Sequence, residues 1–108
     1  MAQKAITPSV LKIVRKYGRV VAQAMPVEKI IVFGSHAKGR GVVDSDIDVC
    51  IVSPKLGKDW FEESLTLDRL TDNISTKIEA HPMSPRDLMN KYDTLASEIR
   101  KYGIDVQL

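Results

Sequence analysis

Apolar positions recur at two different periods along this chain, and the switch between them predicts its elements. Val10, Ile13/Val14, Tyr17, Val20/Val21 and Ala24 form a stripe at helical spacing, as in a helix with one buried side. Thr7 precedes the stripe as an N-cap with Pro8 at the first helical position, and Pro26 ends it. Glu28 to Phe33 (EKIIVF) and Asp46 to Val52 (DIDVCIV) are short, β-branched and mostly apolar, as strands covered on both faces are. Ser35 to about Arg40 is expected to form a brief helix between them, and Ser53-Pro54 closes the second strand.

Gly57 to Asn73 carries Trp60, Phe61, Leu65, Leu67, Leu70 and Ile74 on a less regular helical pattern. From Ser75 to Pro82 the period drops to two: Thr76, Ile78 and Ala80 alternate with Lys77, Glu79 and His81, predicting a third strand with one polar side. Ser84-Pro85-Arg86-Asp87 is a helix start with a Ser cap and an acid in its first turn. Asp93 caps a last helix through Lys101, stopped by Gly103, and Ile104 to Leu108 alternates as a short edge strand. The predicted order is helix, strand, strand, helix, strand, helix, helix, strand. That is an α+β chain with α/β-type layers around a small mixed sheet, and residues 1–108 are expected to form a single domain.

Composition changes this picture little. Hydrophobic residues make up 44% and charged residues 28% of the chain, an ordinary globular balance. No apolar run approaches a membrane span, and the first residues lack a signal-peptide core, so no membrane partner and a cytoplasmic location are expected. Cys50 is the one cysteine, which excludes an intrachain disulfide and a Cys-based zinc site; it reads as a small buried apolar residue. Net charge is +2, but of the 14 acids only Glu28 lies within residues 1–43, where half of the 16 Lys/Arg residues fall. With few aromatics beside them, Lys12, Arg15, Lys16 and Arg19 read as a solvated helix face, and a nucleic-acid partner is not expected.

The chemistry concentrates between Ile30 and Val52 (IIVFGSHAKGRGVVDSDIDVCIV). Asp46 and Asp48 are two apart in a strand, so their carboxylates project to one side, near the Gly34-Ser35 turn. Two like charges held together call for a neutralising partner, and a divalent cation is the usual one. An acid between Ile47 and Val49 is costly in an apolar strand unless it has a role. Asp44-Ser45-Asp46 could instead be a turn ahead of the strand. Two other phosphate motifs fail. Gly34 to Gly39 has the spacing of a P-loop, but Arg40-Gly41 stands where Lys and Ser/Thr are needed, and Gly39-Arg40-Gly41 is followed by Asp44 rather than the third glycine of a dinucleotide fingerprint. His36 and His81 are left out of the metal site as isolated surface histidines. Trp60 reads as a core or partner contact rather than a base-stacking platform.

The whole string, G-S-x(10)-D-x-D between apolar strands, resembles the nucleotidyltransferase signature of the DNA polymerase β superfamily. The short length resembles its smallest branch, the minimal nucleotidyltransferase (MNT) domains, with MntA-like antitoxins among them. The resemblance implies a nucleotidyltransferase fold and assigns roles residue by residue. Gly34 lets backbone amides approach a triphosphate and Ser35 binds a phosphate oxygen. Asp46 and Asp48 hold metal, and Glu79, where the family more often has Asp, is the candidate third carboxylate; the three are the catalytic residues, with the metal or Glu79 deprotonating the attacking hydroxyl. Lys38 and Arg40 stand where cations could meet phosphate charge. Two Mg²⁺ (or Mn²⁺) ions would stabilise attacking and leaving oxygens, with ATP as substrate, AMP transferred to a hydroxyl and pyrophosphate released. The domain is expected to lack room for an acceptor-binding module, so the acceptor would come from a partner. The resemblance implies a small helical HEPN-type protein in a toxin–antitoxin pair; a homo-oligomer is also possible on this reading. Two rivals stand beside it: an antitoxin that masks its partner without turnover, and transfer to a small molecule or an RNA end.

Overall fold

A computed structural model describes residues 6–39 and 45–108 and gives the elements in the predicted order. Helix α1 runs Pro8–Ala24, with the Thr7 side chain accepting from the Val10 N–H. Strand β1 spans Lys29–Phe33 and β2 Ile47–Val52. Helix α2 is Trp60–Arg69, capped by Asp59 and shorter than its apolar pattern suggests; Leu70 to Ile74 continue as turns. Strand β3 is Ile78–Met83, α3 Pro85–Leu88, α4 Thr94–Tyr102 and β4 Ile104–Asp105. The Ser84 start is a full capping box: its side chain accepts from the Asp87 N–H, and Asp87 accepts from the Ser84 N–H.

The four strands lie in the order β3-β2-β1-β4. β1 is antiparallel to β2 and β4, while β2 and β3 are parallel, with α2 in the crossover between them. Strand alternation splits the apolar side chains into two cores. Ile30, Val32, Val49 and Ile51 face α1 and α2, meeting Val14, Val21 and Leu67. Ile31, Phe33, Cys50 and Val52 face α3 and α4, meeting Leu88, Ala96 and Ile99. Tyr17, fully buried, donates its hydroxyl to the Leu67 carbonyl at 2.8 Å and so ties α1 to α2. Burial, with the Asp68 charge adding to it, raises the Tyr17 pKa and keeps that hydroxyl a donor.

Two expectations change. The segment from Gly34 to Gly39 is a run of turns rather than a helix, with the Lys38 N–H donating to the Gly34 carbonyl; the end of the expected helix, at Arg40, lies outside the described residues. Trp60, expected as a core or partner contact, is 66% exposed and so is not core, and Phe61 beside it is 63% exposed. They occupy the first turn of α2, ahead of the point where the helix packs through Leu67. Among the described residues no helix is long and apolar enough to cross a membrane.

Candidate metal and phosphate site

Asp48 is placed by β2 and looks out on the face that carries Phe33 and Cys50. In the antiparallel register it lies opposite Phe33, the last residue of β1, and in the parallel register opposite Glu79 on β3. Two acids on neighbouring strands are therefore directly side by side, an arrangement that costs energy by like-charge repulsion unless a cation lies between them. His81, two residues further along β3, joins them. One ligating atom from each of Asp48, Glu79 and His81 can be chosen so that all lie within 4.8 Å of one another. His81 Nε2 is 3.4 Å from Asp48 Oδ1, and the Phe33 ring packs edge-on against the imidazole at 4.9 Å between centroids.

The turn that starts at Gly34 borders this cluster. Gly34 has φ +75°, a left-handed conformation that disfavours any side chain, and a Cβ there would run into the Asp48 carboxylate. Glycine is thus required twice, by the backbone and by the neighbouring acid. Ser35 follows, half-buried in the turn. His36 is only 5% exposed, which corrects the expectation of a surface histidine. Its Nε2 reaches Ser45 Oγ at 3.0 Å and the Ser45 carbonyl at 3.3 Å. The imidazole holds the start of the turn against the residue before Asp46.

The other predicted residues are less closely gathered. Asp46 is exposed, one residue ahead of β2, and stands outside the Asp48–Glu79–His81 group. The ladder starts at Ile47, so the period-two rule has less hold on it. The Lys38 ammonium sits 3.6 Å from Glu98 Oε1 and 4.7 Å from the Tyr102 ring centroid, both on α4. A partly exposed pair of this kind is worth about 1 kcal/mol at most, so an incoming phosphate can draw the lysine away. Arg40 and Asp44 lie outside the described residues.

Sequence reasoning missed His81 as a member of the site, although the alternation along β3 had already placed it beside Glu79 on the polar side. It also missed an open groove of ≈ 330 Å³ between α2 and β3, lined by Trp60, Phe61, Ser64, Glu79 and His81. Ser64 Oγ is buried there with no hydrogen-bond partner among the described residues. The donor set, two carboxylates and an imidazole, suits a divalent cation.

Residues 10–95 match the nucleotidyltransferase domain family. Sequence comparison with curated proteins gives no match. Among solved structures, a Sulfolobus solfataricus protein assigned to the nucleotidyltransferases superposes with TM-score 0.66 at 21% identity, over 88% of this chain and 77% of that one. A chain of a toxin–antitoxin complex with AMP-PNP gives 0.57 at 18%, over 86% and 71%. A chain of the complex between tri-AMPylated Shewanella oneidensis HEPN toxin and MNT antitoxin gives 0.54 at 16%, over 88% and 69%. At these identities the likeness to each structure is one of fold.

Proposed function

Because the chain belongs to the nucleotidyltransferase domain family and takes its α+β fold, we propose that residues 1–108 form one domain that transfers AMP from ATP to a hydroxyl on a helical, HEPN-type partner protein. The observation that carries the reading is the parallel register that sets Asp48 beside Glu79 next to the Gly34 turn. Similarity of fold to chains from toxin–antitoxin complexes, one with a tri-AMPylated toxin, supports the choice of acceptor.

In the reaction the acceptor oxygen bonds to the α-phosphorus of ATP. The bond from that phosphorus to the bridging oxygen breaks, and its electron pair leaves with pyrophosphate. A divalent cation held by Asp48 and Glu79, with Asp46 close by in sequence, would offset the negative charge of the triphosphate. The chain's own groups do the rest. Gly34, free of a Cβ, lets the turn's backbone approach the triphosphate, and Ser35 offers it a hydroxyl donor. Lys38, released from Glu98, meets the phosphate charge. Glu79, exposed on the edge strand, accepts the acceptor's proton. The groove lined by Trp60 and Phe61 opens onto Glu79 and gives the acceptor segment a path to it.

Mass spectrometry of the partner after incubation with ATP and Mg²⁺ tests this reading. An added adenylyl group is expected with the wild-type protein and none with Asp48→Asn. A partner neutralised by complex formation alone, without nucleotide and equally by the variant, would identify a masking antitoxin instead. Label from ATP on RNA or a small molecule would move the acceptor elsewhere.

A further inference from the structure

We propose that His81 is a nitrogen ligand of the cation site, so that the site selects a later transition-metal ion such as Co²⁺ or Zn²⁺ over Mg²⁺. The inference rests on Asp48 and Glu79 being the site's carboxylate ligands. It adds a ligand atom, and with it a metal preference.

The geometry of the imidazole carries the argument. Its Nε2 is 3.4 Å from Asp48 Oδ1, beyond the usual 2.7–3.2 Å of an N–H···O hydrogen bond. Two ligand atoms each about 2.1 Å from one ion at a tetrahedral angle are about 3.4 Å apart. The pair is therefore spaced as ligands sharing an ion are, and more loosely than a donor and acceptor. Glu79 completes a set spanning no more than 4.8 Å, and its exposed side chain can close the remaining gap by rotation. The imidazole itself is preset. The backbone register with Cys50 fixes its strand position and the Phe33 ring packs against it, which lowers the entropy lost when it binds an ion.

Chemistry then sets the preference. Mg²⁺ takes oxygen ligands and keeps its waters, whereas imidazole suits the later first-row ions. The competing role for His81 is that of an N–H donor orienting Asp48. The two roles exclude each other at one atom, since Nε2 carries either the proton or the metal.

The test uses the folded full chain without nucleotide or acceptor. Pulsed EPR of the Mn²⁺-loaded protein, with ¹⁵N-labelled histidine, is expected to show nitrogen coupling that His81→Gln abolishes. Calorimetry and Co²⁺ absorption titrations supply the second measurement. His81→Gln, whose amide can still donate to Asp48, should lower Co²⁺ and Zn²⁺ affinity about tenfold or more and leave Mg²⁺ affinity within about threefold. A merely supporting residue can also cost 10–100-fold in affinity, but it would do so for every cation alike, so the ratio decides. Absence of nitrogen coupling, or an equal loss for Mg²⁺ and Co²⁺, overturns the proposal. Should the variant not fold, the wild-type EPR spectrum still decides. Nitrogen coupling without any AMP transfer would sink the proposed function alone, and Mg²⁺-supported transfer without nitrogen coupling would sink this inference alone.

Discussion

Gly34 is the residue on which backbone and site meet. Its φ of +75° and the Asp48 carboxylate against its missing Cβ act together, so Gly34→Ala should fail on both counts. The left-handed backbone alone costs about 1–2 kcal/mol with a side chain, and the methyl must push Asp48 from its place beside Glu79. Urea denaturation should show a loss of that size or more, and divalent cation binding should weaken as well. The nearness of Gly34 to Asp48 was readable from their spacing along the chain, whereas Asp46, read with them, stands apart from Asp48, Glu79 and His81. Glu79 needed only the alternation of its own strand. The histidines were not legible, because an imidazole's role depends on what lies across the strand or turn: Ser45 for His36, Asp48 and Phe33 for His81. Lys38 was read as a phosphate contact, yet its resting partners, Glu98 and Tyr102, sit some sixty residues later in the chain.

At the scale of elements, caps were easier to read than lengths. Thr7, Ser84 and Asp93 all cap where their side chains predict. Gly103 ends α4, though not through a left-handed turn: its φ is −68°, and a Cβ there would overlap the Ile99 carbonyl and the Ile31 side chain. Helix α2 defeats the apolar pattern because its first turn is held by a side chain the pattern ignores. Glu63 accepts from the backbone N–H groups of Gly57, Lys58 and Asp59, and the three donors organise the approach to the helix. Burial pushes the Glu63 carboxyl up, but those hydrogen bonds and the Lys58 charge outweigh it and leave the group below the usual carboxylate range. A lowered folded-state pKa stabilises the fold at neutral pH and is lost as pH falls through that value. Glu63→Gln should accordingly lower the melting temperature at pH 7, with the difference from wild type shrinking on acidification. Further along the same helix Leu67 is fully buried against α1 and the sheet, and Leu67→Ala should cost about 2–5 kcal/mol in denaturant titrations.

Across the whole molecule, periodicity gave the order of elements but not the order of strands. Nothing local to β2 or β3 says that they run parallel, since neither the apolar run of β2 nor the alternation of β3 fixes a direction. The pairing follows from the α2 crossover, which needs a dozen or more residues and a helix to return the chain in the same direction. One consequence reaches beyond geometry. Asp48 and Glu79 become neighbours only when that crossover has closed, so an unfolded chain offers a cation no comparable site. Binding to the folded state alone adds about 2.7 kcal/mol when the ion is at one hundred times its dissociation constant. In a domain of this size that is a rise in melting temperature on the order of 10 °C, and Asp48→Asn should remove the rise without lowering the cation-free melting point. The same arithmetic governs how often the chain opens to a protease. Pulse proteolysis with and without Mn²⁺ should find the loaded form cleaved less, so that cation supply would set how long each copy of the protein survives in addition to what it can do.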